Sequence, residues 1–213
     1  MKNKQKAFAV LTELKQLYPS PECGLHWQGE PYRLLIMAIL SAQCTDARVN
    51  LVSETLFKRF PTPKDMADAE LSDIEKEIHS VGLYRSKARS LKECCSRLVE
   101  VYGGIVPSEM EELLTLRGVG RKVANLLRGD IFGLGGIVAD THCIRIAGRL
   151  GLAGGKDPLE TERSLEKLIP KEEQSGFCHR IVHFGREICI ARSPKCENCV
   201  LSGLCDYKKQ NKG

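Results

Sequence analysis

Cys189, Cys196, Cys199 and Cys205 form the spacing C-x6-C-x2-C-x5-C near the end of the chain, and nothing else in the sequence restricts the fold so much. Thiols this close in sequence converge on one centre only if the backbone between them doubles back, so the segment must be a compact loop. The chain has ten cysteines in 213 residues, yet they are not spread as a disulfide framework would be. Cys23, Cys44, Cys143 and Cys178 have no matching spacing and read as structural. The N-terminal stretch MKNKQKAFAVLTEL lacks the apolar core of a signal peptide, and no run is long enough to cross a membrane. The expected compartment is therefore the reducing cytosol or nucleoid, where clustered thiols bind metal. Spacing leaves the metal open. Zinc sites usually carry two close pairs, and only Cys196 and Cys199 are close here; ferredoxin spacings also differ. Arg186, Arg192 and Lys195 stand in or beside the loop, either as phosphate contacts or as charges offsetting the cluster's own.

The rest of the chain reads as helix. Apolar content of 42% supplies a core, aromatics are few, and Leu, Ala, Ile, Glu, Lys and Arg recur at helical spacing, so an all-α fold is expected. The net charge of +5 is compatible with a polyanionic partner without specifying one. Residues 7–17 put Phe8, Val10, Leu11, Leu14 and Leu17 on one face, and the prolines at 19 and 21 end that helix. A helix follows Pro31, and its run LLIMAIL is apolar all round, which predicts a buried central element. The polar break Ser41–Asp46 reads from pattern alone as a helix–helix connection capped by Thr45 or Asp46. Gly82 suits the residue just past a helix end, Ser108 with Glu111 suits a capping box, and Arg85, Lys87, Arg89 and Lys92 read as a solvated basic face.

Between Leu113 and Arg145 the sequence LLTLRGVGRKVANLLRGDIFGLGGIVADTHCIR predicts helix, tight turn, helix, glycine-rich link, helix. Gly118 and Gly120 permit positive φ and leave backbone N–H groups uncovered. The helix beginning near Arg121 turns its free N–H groups and positive dipole end the same way. That arrangement binds phosphate without reading bases, although glycines also serve plain helix corners. Lys122 lies in the first turn. Partly buried in a groove, it would be biased toward the neutral amine that can attack carbon. Asp140 reads as the N-cap of the next helix, which would also fix a carboxylate at a defined point.

The combination of LRGVGRKVAN, VADTH and the four-cysteine spacing, with LLIMAILSAQCTDARVN and VGLYRSKA, resembles endonuclease III, a DNA glycosylase with AP-lyase activity in the helix-hairpin-helix superfamily. The resemblance runs over nearly the whole chain. It implies a bilobal all-α fold: a six-helix barrel over about 24–134, with the hairpin at about 108–128, and a cluster lobe from 1–23 plus 135–213. It implies one [4Fe–4S] cluster on Cys189, Cys196, Cys199 and Cys205. Lys122 matches the catalytic lysine, Asp140 the catalytic aspartate, and Gly118, Val119, Gly120 and Arg121 the DNA-gripping hairpin. Gln43 and Leu83 match positions that wedge into a duplex from which a base has been flipped. His142, Arg192 and Lys195 complete the expected DNA contacts. The implied work is base-excision repair by a monomer on double-stranded DNA carrying oxidised pyrimidines or abasic sites.

Two positions depart from the family pattern: Arg117 stands where proline is usual, and Val123 where threonine is usual. The competing readings are a non-catalytic DNA-binding module with a structural metal, and a monofunctional adenine or mismatch-thymine glycosylase. Lys122 argues against the monofunctional branch.

Overall fold

The computed structural model describes residues 3–210, and among them every regular element is helical. In chain order the α-helices are α1 (Asn3–Leu17), α2 (Pro31–Leu40), α3 (Asp46–Arg59), α4 (Pro63–Asp68), α5 (Leu71–Ile78) and α6 (Tyr84–Tyr102). They continue with α7 (Met110–Leu113), α8 (Arg121–Asp130), α9 (Thr141–Leu150), α10 (Pro158–Glu166), α11 (Gln174–Glu187) and α12 (Asp206–Gln210). None of the helices is long and apolar enough to cross a membrane. Two compact units result. One is Cys23–Phe132; the other joins the described residues up to Glu22 to those from Gly133 onward.

The first unit is built around α2. Pro31 opens this helix, where its missing N–H costs nothing, and Leu34 through Leu40 are all buried. Around it gather Val49 and Leu56 of α3, Met66 of α4, Ile74 and Ile78 of α5, Leu91 and Leu98 of α6, and Ala124 and Leu127 of α8. A helix apolar on every side needs such a full jacket, and the amphipathic helices supply it, one stripe each. Thr45 caps α3 by accepting the Arg48 N–H at 3.3 Å, as its position in the polar break predicts.

Three local expectations for this unit are corrected. Ser108 does not cap the helix before the hairpin. The four-residue α7 starts after Glu109, and the Ser108 hydroxyl donates to the Glu109 carboxylate at 3.2 Å. Gly82 is not the residue that ends α5, whose C-cap is His79; the left-handed position is Leu83, the N-cap of α6, at φ 59°. The basic face is not uniformly solvated, because Lys87 is only 6% exposed.

The second unit packs Val10, Leu11 and Leu14 of α1 against Ile146 and Leu150 of α9, Leu165 of α10, and Phe177, Ile181 and Phe184 of α11. The buried stripe of α1 is Ala7, Val10, Leu11 and Leu14; Phe8 and Leu17, expected on that face, are exposed. The reason is geometric. A stripe at i, i+3, i+4, i+7 starting from Ala7 leaves Phe8 about 100° away. Arg180 fixes the chain leaving α1, donating from Nε to Tyr18 O at 2.9 Å and from Nη2 to Pro19 O at 3.3 Å.

Candidate functional site

In the 23–132 unit the Gly-x-Gly stretch forms a four-residue turn closed by Val119 N–H donating to Leu116 O at 3.1 Å. Gly118 takes its third position at φ 85°, the left-handed place of a type II turn. A Cβ added there would lie 3.1 Å from Ile39 Cγ2 and 3.3 Å from Ser90 Cβ, so the turn sits hard against α2 and α6. Gly120 differs. Its backbone is ordinary extended N-cap geometry, and a Cβ there would meet open space. Val119 is buried beneath the turn, while Arg121 and Lys122 open α8 and are exposed. Lys122 therefore has the expected place at a helix N-terminus without the expected burial. Arg117 reaches Glu93 of α6 only through a 3.9 Å pair between exposed side chains, which holds little. Val123 packs half-buried against the core.

Gln43 and Leu83 lie in the same unit, on the connections at the end of α2 and the start of α6, the two helices the hairpin touches. Both are exposed, and both hold left-handed backbone, Gln43 at φ 53° and Leu83 at φ 59°. Non-glycine residues adopt this region at a cost of about 1 kcal/mol or more, and such strain gathers at functional sites. The two turns touch: a Cβ on Gly82 would lie 3.8 Å from Gln43 O. Lys87 underlies them, its ammonium donating to Leu40 O at 2.9 Å and to Ala42 O at 2.6 Å. Burial draws this ammonium below the ordinary lysine range. Sequence pattern gave no sign of it, since its partners are backbone carbonyls more than forty positions away.

In the other unit Asp140 is the N-cap of α9, its Oδ1 accepting the Cys143 N–H at 2.7 Å. The extended link before it is tied to α11. Gly136 N–H donates to Gln174 Oε1 at 2.9 Å, and Val138 N–H to Cys178 Sγ at 3.2 Å. His142 is half-buried and points Nδ1 at Arg145 Nη2, 3.2 Å away. A guanidinium only donates, so Nδ1 is the accepting side of this contact. The same Nη2 donates to Gly185 O and Cys189 O. Gly185 makes this possible: a Cβ on it would lie 2.4 Å from His142 Nδ1, so only glycine lets α11 approach α9 here.

Cys189, Cys196, Cys199 and Cys205 line one cavity, together with Leu150, Phe184, Ile188 and Leu201. None is in a disulfide. Burial pushes the Cys199 thiol up, and the three other sulfurs add charge repulsion in the same direction. Four soft sulfur donors crowded against an apolar wall are a binding set for a thiophilic cationic centre, zinc or iron–sulfur. The loop between them is a run of tight turns, with Lys195 N–H donating to Ile188 O at 2.9 Å and Cys205 N–H to Ser202 O at 3.3 Å. Arg192 and Lys195 stand on it, both exposed. Arg149 of α9 grips its base, donating to Cys189 Sγ at 3.2 Å, Ile190 O at 2.9 Å and Ala191 O at 2.7 Å. Of the remaining cysteines, Cys143 and Cys178 are buried, and burial pushes Cys23 up to about 12, as suits structural thiols.

Residues 36–171 match the family model of the HhH-GPD superfamily base excision DNA repair protein. Residues 189–205, bounded by the first and last of the four cysteines, match the iron-sulfur binding domain of endonuclease III. The chain is 46% identical to endonuclease III of Synechocystis sp. (strain ATCC 27184 / PCC 6803 / Kazusa), over 95% of this chain and 92% of that protein. It is 40% identical to endonuclease III of Bacillus subtilis (strain 168), over 100% of this chain and 98% of that one. A solved structure of a trapped endonuclease III–DNA covalent intermediate, an estranged-adenine complex, matches at a TM-score of 0.92 and 44% identity, covering 99% of each chain.

Proposed function

We propose, because this chain belongs to the endonuclease III family of the HhH-GPD superfamily, that Lys122 is its nucleophile and Asp140 its catalytic carboxylate. The chain is a base-excision DNA repair enzyme, a DNA glycosylase and AP lyase that acts on damaged DNA and carries a [4Fe–4S] cluster. The observation that carries the assignment of Lys122 is its exposed position in the first turn of α8, just past the Gly118 turn.

The chemistry divides among several residues. A damaged base inside the stack must be extruded, and oxidised pyrimidines, having lost aromatic stacking, are extruded at lower cost. Gln43 and Leu83, presented from left-handed turns, fill the space vacated and keep the nucleotide out. The Gly118 and Gly120 N–H groups of the turn hold a backbone phosphate regardless of sequence. The Nζ of Lys122, having given a proton to water, forms a bond to the sugar C1′ as the glycosidic bond breaks, the base leaving with the electron pair and taking up a proton. Asp140 stabilises the positive charge that develops on the sugar. The ring then opens to an imine on Lys122, a proton is lost from C2′, and the C3′–O bond breaks, nicking the strand 3′ to the lesion; water returns the free lysine. The cluster, whose chemistry when bound is structural, would be held by Cys189, Cys196, Cys199 and Cys205. Its loop keeps Arg192 and Lys195 presented toward the DNA, with His142 as a further contact. The enzyme works as a monomer at the nucleoid.

Borohydride trapping on an abasic duplex tests the central assignment. We expect a covalent adduct with the wild-type chain and none with Lys122→Ala; an adduct that survives the substitution overturns it. A lesion panel tests the substrate class, since equal excision of undamaged and oxidised pyrimidines would contradict it.

A further inference from the structure

Lys87 is a buried cation whose ammonium is satisfied by the carbonyls of Leu40 and Ala42 rather than by a carboxylate. Its head occupies the C-terminal end of α2, where the helix dipole favours positive charge. Burying an ammonium is expensive compared with an aliphatic side chain of the same length, so stability alone is a poor reason for it. Its bonds indicate another. The Ala42 carbonyl belongs to the peptide unit that carries the Gln43 N–H, so fixing it fixes the plane from which the left-handed Gln43 departs. The backbone N–H of Lys87 meanwhile donates to Leu83 O at 3.0 Å, the first helical bond after the left-handed Leu83. One residue thus holds both strained positions, the first through its side chain and the second through its main chain.

We propose that Lys87 is a positioning residue for nucleotide extrusion, locking the Gln43 and Leu83 turns at a fixed separation so that both enter the duplex together. This rests on the reading of Gln43 and Leu83 as wedges. Without the ammonium, the Ser41–Cys44 turn is free to relax out of its left-handed conformation, and the Gln43 side chain reaches the stack in a scatter of orientations.

The test compares duplex DNA carrying an oxidised pyrimidine with a single strand carrying an abasic site, where no stack or partner base has to be wedged. Single-turnover rates are measured for wild type, Lys87→Met, Gln43→Ala and the double variant. Fluorescence of a 2-aminopurine opposite the lesion reports extrusion directly. We expect Lys87→Met to slow the duplex reaction on the order of ten- to a hundred-fold, as small misplacements of positioning groups do. The single-strand reaction should change far less, and the 2-aminopurine rise should shrink. In the Gln43→Ala background, Lys87→Met should cost little more, because both changes disable one device. Equal losses on the two substrates, or a full additional loss in the Gln43→Ala background, overturn the proposal. If Gln43→Ala alone leaves the duplex to single-strand ratio unchanged, the wedge reading itself fails, which is a separate result. Should Lys87→Met not accumulate folded, Lys87→Gln carries the same comparison. Its amide is uncharged and one bond shorter, so it does not reproduce the pair of ammonium bonds, and an unaltered ratio for a folded Lys87→Gln also overturns the proposal.

Discussion

Asp140 spends Oδ1 on the Cys143 N–H and has the rest of its carboxylate for chemistry. The two tasks come apart by substitution. Asparagine caps a helix about as well as aspartate, so Asp140→Asn should keep its melting temperature and its affinity for damaged DNA while turnover collapses. Asp140→Ala should lose the same turnover and also about 1 kcal/mol of stability, seen as a lower denaturation midpoint. Wild-type turnover in Asp140→Asn would contradict the catalytic role. Asp140 was legible because an N-cap is a local device: the acid, the small residues before it and the apolar stripe after it lie within one stretch of sequence. The same holds for the place of Lys122 just past the turn. Lys87 was illegible for the opposite reason. The carbonyls that hold it lie on α2 and the loop beyond it, and a lysine among other basic residues on a helix looks like any solvated charge.

At the scale of the element, the hairpin turn answers the question raised by Arg117. The second position of a type II turn favours proline, whose ring presets φ. Arg117 occupies it and contributes only an exposed pair with Glu93. Arg117→Pro should therefore raise stability by about 0.4–1 kcal/mol through loss of unfolded-state freedom, measured by denaturant titration. Gly118→Ala should do the reverse. It places a Cβ 3.1 Å from Ile39 Cγ2 in a left-handed conformation, at a cost of about 1–3 kcal/mol, and should weaken binding to all DNA sequences alike. For the cluster loop, neutralising Arg192 and Lys195 should flatten the dependence of log affinity on log salt by about 0.9 for each phosphate they neutralise in the wild type. An unchanged slope makes them ordinary surface charges. The turn itself could be foreseen from two glycines and a basic pair. The true helix boundaries near Ser108 and Gly82 could not, because α7 is only four residues long and the left-handed residue proved to be Leu83, one position on.

At the scale of the molecule, the unit that holds the four cysteines is closed by the other end of the chain. Ala7, Val10 and Leu14 of α1 are fully buried against α9, α10 and α11, and Lys6 pairs at 2.8 Å with Asp206 of α12. Deleting α1 should thus strip the cluster although no ligand is touched. We expect the purified truncated chain to lack the absorbance near 400 nm that the intact chain shows, and an unaltered spectrum would mean that the loop holds its cluster unaided. Helical content and the central apolar helix could be read from periodicity, since those signals lie within single segments. That the two ends share one core is a fact about pairing between distant stripes, which no local pattern carries.

That shared core has a consequence in time. Synthesis proceeds from the N-terminus, so α1 leaves the ribosome long before α11 exists. At about 5–20 residues per second, the intervening stretch takes on the order of ten seconds to appear. For that interval Val10, Leu11 and Leu14 have nothing to pack against, while Cys23–Phe132 can already close on itself. The first helix made is among the last to dock, and a chain that stops early never buries it.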